Sequence, residues 1–143
     1  MIGPLRYLLL LLPLLVAGCG NRGKSETKTT GPLGKEVVIS DTLLVQGGCD
    51  TLRLGRLSSG EQLVLNFHLR NRASTPAVVV GEELTCGCIA LTYEHKPFMP
   101  GDYLPVQMQF DSRGLWGWQL KLFRLHLNKG DKPLQIYVEA EIE

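Results

Sequence analysis

Cys86-Gly87-Cys88 is the constellation in this sequence best placed to do chemistry. Two thiols on either side of one glycine admit three readings, all open at this stage. They can pack or close a local disulfide, where Gly87 permits the unusual backbone. Either can instead pair with Cys49 and pin an early strand to the middle of the domain. Or they can hold a soft metal such as Cu(I), which accepts two or three thiolate or thioether ligands, with His95 and Met99 close enough in sequence to assist. Structural zinc wants four ligands, which one Cys pair does not supply. His68 and His126 fall on the polar faces of strands and His95 in a loop, so solvated histidines are expected and no catalytic set. G-x-S-x-G, H-E-x-x-H and a glycine-rich strand-to-helix loop are all missing, which argues against hydrolase, metalloprotease and nucleotide sites. Catalytic residues, metal and cofactor are therefore all expected to be none. Trp118 is expected to anchor a core and Trp116 to lie at one end of it; an exposed pair would mark a binding patch. Asp41-Thr42-Leu43 and Asp50-Thr51-Leu52 fit a short O-glycosylation signal, making Thr42 and Thr51 candidate acceptors.

Cys19 has a different role. It follows Arg6, an apolar run over residues 7–18 and the small residues Ala17 and Gly18. Twelve residues are too few to span a bilayer, which takes roughly twenty. Residues 1–18 read as a signal peptide, and Cys19 as the lipidated first residue of a mature lipoprotein. Several acyl chains on one residue suffice for stable anchoring. Gly20 in place of Asp favours the outer membrane, with the domain facing the periplasm. Residues 19–35 are polar and glycine-rich, a flexible tether reaching about 20 Å.

The chain has 143 residues, room for one domain, and a net charge of +1. Loss of Arg6 with the leader leaves a neutral mature chain. That balance excludes binding nucleic acid through bulk positive charge. With Cys19 lipidated, three thiols remain, so at most one disulfide can form within the chain.

The elements that position these residues read as strands. Period-two alternation runs through residues 62–70, 103–110 and 134–142. Residues 117–127 alternate with a phase slip: Trp118, Leu120 and Leu122 share one parity, Phe123, Leu125 and Leu127 the other. A bulge near Leu122 and Phe123 would bring both sets inward. Shorter strands are expected at 36–45, 51–57, 77–84 and 89–93, with no helix beyond a short turn. The sum is an all-β domain over residues 36–143, a single immunoglobulin-like antiparallel β-sandwich of seven or eight strands.

Several short motifs carry a resemblance. Leu54-Gly55-Arg56-Leu57, Gly60-Glu61, Phe67-x-Leu69-x-Asn71, Cys86-Gly87-Cys88, Tyr93, Pro97, Pro100-Gly101, Phe110-Asp111-Ser112, Gly117, Lys121 and Asn128 occur in that order. Together they resemble the bacterial domain-of-unknown-function family 1573. The chain departs from it at Asn71-Arg72-Ala73, at Ile89 and in the place of Trp118. The resemblance implies a lone immunoglobulin-like domain, often on a lipoprotein, and no established activity. The expected function is a non-enzymatic, lipid-anchored periplasmic module acting by surface or strand-edge contacts on an envelope protein. The alternative is a copper or redox protein using Cys86 and Cys88.

Overall fold

The computed structural model describes residues 34–143. The expected signal peptide, the expected lipidation at Cys19 and nearly all of the expected tether lie outside the described residues. The elements are β1 (Lys35–Ile39), α1 (Asp41–Gln46), β2 (Gly48–Leu57), β3 (Gln62–Asn71), β4 (Val79–Leu84), β5 (Ile89–Tyr93), β6 (Tyr103–Asp111), β7 (Gly117–Leu127) and β8 (Leu134–Ile142). They form two four-stranded sheets, β1-β3-β6-β5 and β2-β8-β7-β4. The sheets pack face to face as a sandwich, and Phe67 of one meets Phe123 of the other with ring centroids 6.3 Å apart.

The alternation read in β6 and β8 holds. Leu104, Val106, Met108 and Phe110 are buried, as are Leu134, Ile136, Val138, Ala140 and Ile142. Every second residue points to one face of a strand, so these strands each commit one apolar face to the core.

Three expectations need correction. The segment 36–45 is not one strand: β1 stops at Ile39 and a six-residue helix follows. Local signals explain it. Ser40 caps the helix, its Oγ accepting from the Leu43 N–H at 3.2 Å, and Asp41 occupies the first turn. Gly47 closes it at φ +71, a conformation that disfavours any side chain. The helix carries the chain from one sheet to the other and buries Leu44. Gly130 packs against it so closely that a Cβ there would stand 2.2 Å from the Val45 carbonyl oxygen.

Second, the sandwich is mixed. β3·β6, β5·β6, β4·β7 and β7·β8 are antiparallel, but β1 joins β3 and β2 joins β8 in parallel. A parallel pair cannot be closed by a tight turn: the chain returns from β1 to β3 through α1 and β2, and from β2 to β8 through β3–β7.

Third, β7 has no bulge at Leu122 and Phe123. Its register against β8 is unbroken from Gly117 to Leu125. The register shifts fall instead in β4, between Val79 and Gly81, and in β2, between Arg53 and Gly55. With a single register, Phe123, Leu125 and Leu127 face the core, so Trp118 and Leu120 must face outward.

Candidate functional site

Two regions matter: the disulfide between β4 and β5, and the outer face of β7. β4 ends one sheet and β5 the other, so the Thr85–Cys88 turn crosses between them. The Thr85 N–H and hydroxyl bond the Leu122 carbonyl, and the Asp111 N–H donates to the Cys88 carbonyl at 2.9 Å. Cys86 and Cys88 are joined to each other, with Cα atoms 5.2 Å apart. Cys49 is free and exposed on β2, so it is not paired with either. Closing so short a loop constrains the unfolded chain by only about 1.5 kcal/mol.

A groove of about 430 Å³ lies beside the disulfide, lined by Gln62, Val64, Cys88, Gln109, Asp111 and Arg113 among others. Arg113 Nε sits 3.0 and 2.8 Å from the two Asp111 carboxylate oxygens. These charge-assisted bonds lower the Asp111 carboxyl to about 2. His95 and Met99 do not join this site. They lie beyond the far end of β5, a five-residue strand about 17 Å long. His95 instead meets the Tyr93 ring at 4.7 Å, and Met99 is exposed. Among the described residues, no group of three His, Cys, Asp or Glu is placed to hold a metal.

His68 is not solvated as expected. It is buried, its Nε2 3.2 Å from the Glu36 carboxylate of β1 and its ring edge-on to Tyr103. Among the described residues, Nδ1 is buried without a partner. Glu36 also accepts from Arg70 Nε at 3.3 Å. The sequence signal was available only through the β1·β3 pairing, which sets Glu36 opposite His68. His126 is half-buried and pairs with Glu83 at 2.7 Å. Thr42 is exposed in the first turn of α1, whereas Thr51 is half-buried in β2 with its carbonyl bonded by Lys35.

Trp116 is 82% and Trp118 63% exposed, with Leu120 at 47%. Trp118 therefore does not anchor the core. The residues of inward parity beside it, Gln119 and Lys121, are polar, so the start of β7 is inverted: apolar side chains outward, polar ones inward. β4 pairs only with Val79's partner Leu127 and the residues back to Phe123, leaving the start of β7 uncovered on that flank. Register places Glu141 beside Trp118 and Glu139 beside Leu120. Arg53 of β2 pairs with Glu139 at 3.5 Å and Arg56 with Glu141 at 3.3 Å. A hollow of about 310 Å³ between Trp118 and these ion pairs is open to solvent.

The motif residues are mostly architectural. Asn71 is fully buried; its amide donates to the Thr75 and Phe98 carbonyls, both at 2.9 Å, and its oxygen accepts from the Ala73 N–H. Ser112, also buried, sets its hydroxyl 2.9 Å from the Ser58 and Glu61 carbonyls. Asn128 bonds the Val78 N–H and the Pro76 carbonyl. Each ties a turn to a strand end. A family model described as a protein of unknown function (DUF1573) matches residues 46–142.

The chain belongs to the DUF1573 family.

No curated protein matches it. Among solved structures, a chain of the Vibrio cholerae VesB protease is similar, with a TM-score of 0.53 and 12% identity over 64% of this chain. The match covers 30% of that protease chain. At such identity the likeness is one of fold, and function must come from the site itself.

Proposed function

We propose that this DUF1573 domain is a non-enzymatic binding module, held at the outer membrane by lipid on Cys19 and facing the periplasm. It docks an envelope protein through the outward strip Trp116, Trp118 and Leu120. The observation that carries this is the inverted start of β7. Exposing Trp118 on a regular strand, with Trp116 exposed just before it, has no stabilising purpose within the domain. Trp and Arg are also the residue types that dominate binding hot spots, and a polar rim around an aromatic centre is the usual anatomy of an interface. Arg53, Arg56, Glu139 and Glu141 supply that rim.

The test is capture from envelope extract by the full-length protein and by a Trp116→Ser, Trp118→Ser variant. The variant should keep its stability to within about 0.5 kcal/mol, since both rings are exposed. It should lose the partner that the parent retains. Equal capture by both would refute the strip.

A redox role at Cys86 and Cys88 is the second reading. It is supported by a small-loop disulfide at the rim of a groove, beside the Arg113 cation. Thiol counting on protein taken directly from cells tests it: a mixture of reduced and oxidised pairs supports exchange, and a uniformly oxidised pair counts against it.

A further inference from the structure

Among the described residues the sandwich has four edge strands, β1 and β5 in one sheet, β2 and β4 in the other. Edge strands offer unpaired backbone groups, and proteins normally blunt them with charges, prolines or bulges. Three of these edges are blunted. β1 carries Lys35 and Glu36; β2 carries Asp50, Arg53, Arg56 and a register shift; β4 carries Glu82, Glu83 and a register shift. β5 reads Ile89-Ala90-Leu91-Thr92-Tyr93, with no charge, proline or register shift.

Its hydrogen-bond phase is fixed. The Asp111 N–H donates to the Cys88 carbonyl, so Cys88 and Asp111 form a hydrogen-bonded pair in the antiparallel ladder. Such pairs alternate. Ala90 and Thr92 therefore bond to Gln109 and Gln107 of β6. Ile89, Leu91 and Tyr93 turn their N–H and C=O groups away from the sheet. The other side of β6 agrees: the Ser112 N–H, one residue on, bonds to Glu61 in the direction of β3. The side chains of Ala90 and Thr92, which stand on the outer face, are short and exposed.

We propose that β5 pairs antiparallel with β5 of a second copy of this chain, about a two-fold axis through Leu91. The strand is self-complementary in that register. Leu91 meets Leu91 of the other copy, and Ile89 meets Tyr93; each is a residue with outward backbone groups, so both members can exchange both bonds. Ile89 against Tyr93 is a favourable aromatic and β-branched cross-strand pair. Ala90 lies opposite Thr92 with no bulk in the way. Continuing the register past the strand sets Glu94 opposite Cys88 and Lys96 opposite Cys86, so no like charges meet. Such an isologous contact joins the two four-stranded sheets into one. Five residues make a weak interface, and confinement of two copies to one surface would strengthen it. The pairing itself needs neither the lipid nor the tryptophans.

Cross-linking of the full-length protein tests this in a Cys49→Ser background. Ala90→Cys and Thr92→Cys chains, mixed in detergent under mild oxidation, should form a mixed disulfide dimer in preference to either homodimer. Leu91→Pro should reduce that dimer about tenfold. It deletes an outward N–H and leaves the bonds between β5 and β6 intact, a site where an edge strand tolerates proline. Leu91→Lys is avoided because its side chain faces the core; Gln107→Lys, on the outer face of β6, should leave the dimer unchanged. Should Leu91→Pro fail to fold, adding the natural guard Lys at Thr92 of the Ala90→Cys chain must lower the yield with the Thr92→Cys chain. A yield that is equal for all cysteine combinations, or insensitive to Leu91→Pro and to the added Lys, overturns the pairing.

Discussion

At the scale of single residues, the polar groups inside this domain serve turns. Asn71 satisfies two carbonyls and one N–H where the β3 end meets the 98–102 turn, at zero exposure. Removing it leaves the buried Ala73 N–H and the half-buried Thr75 carbonyl without these partners, which costs more than the bonds themselves contribute. Asn71→Ala should destabilise the domain by about 2–3 kcal/mol in a denaturant titration, and a loss under ~1 kcal/mol would contradict this role. Asn71, Ser112 and Asn128 were legible in the sequence as motif positions, but not their task. Nothing in a single chain says which carbonyl a side chain will reach. Cys86 and Cys88 were legible as a pair with three outcomes, and spacing alone could not choose among them. Folding chose by placing Cys49 on β2 at one edge and the Cys-Gly-Cys turn after β4 at the other.

At the scale of elements, alternation identified β3, β6, β7 and β8 almost to their ends, because each commits one face to a common core. It failed where another physical demand overrode it. The 36–45 segment alternates acceptably as a strand, yet Ser40 and Gly47 cap a helix inside it, and the chain must cross between sheets there. In β7 the apparent slip was real in the sequence but was absorbed by exposure rather than by a bulge. A strand that breaks its own pattern without a structural gain is where a functional or strained site is expected. The parallel β1 edge also has a pH-dependent clasp. Hydrogen bonds from His68, and then from Arg70, hold the Glu36 carboxyl below its ordinary value of 4.5. A depressed carboxyl contributes stability that is present above the ordinary value and is lost as pH falls through the depressed one. Hydrogen exchange of β1 amides should therefore accelerate, relative to core strands, on acidification below pH ~4.5. Glu36→Gln should remove that acid dependence, and an unchanged profile would contradict the clasp.

At the scale of the whole molecule, the domain presents distinct surfaces on its two sheets. One sheet offers Trp118 and Leu120, with Trp116 just before them, beside ion pairs; the other ends in an edge strand with its backbone unblunted. The overall sandwich was legible from strand count, turn spacing and alternation. Which surfaces it presents was not, because outward residues are constrained by partners rather than by the core. The proposed module makes its strongest commitment at Trp118. A photo-cross-linking residue placed there in the full-length protein, in intact cells, tests it most directly, with position 107 on the opposite sheet's outer face as the comparison. The account predicts a discrete adduct with one envelope protein from position 118 and none with that protein from position 107. No adduct from 118, or the same adduct from both positions, would contradict it.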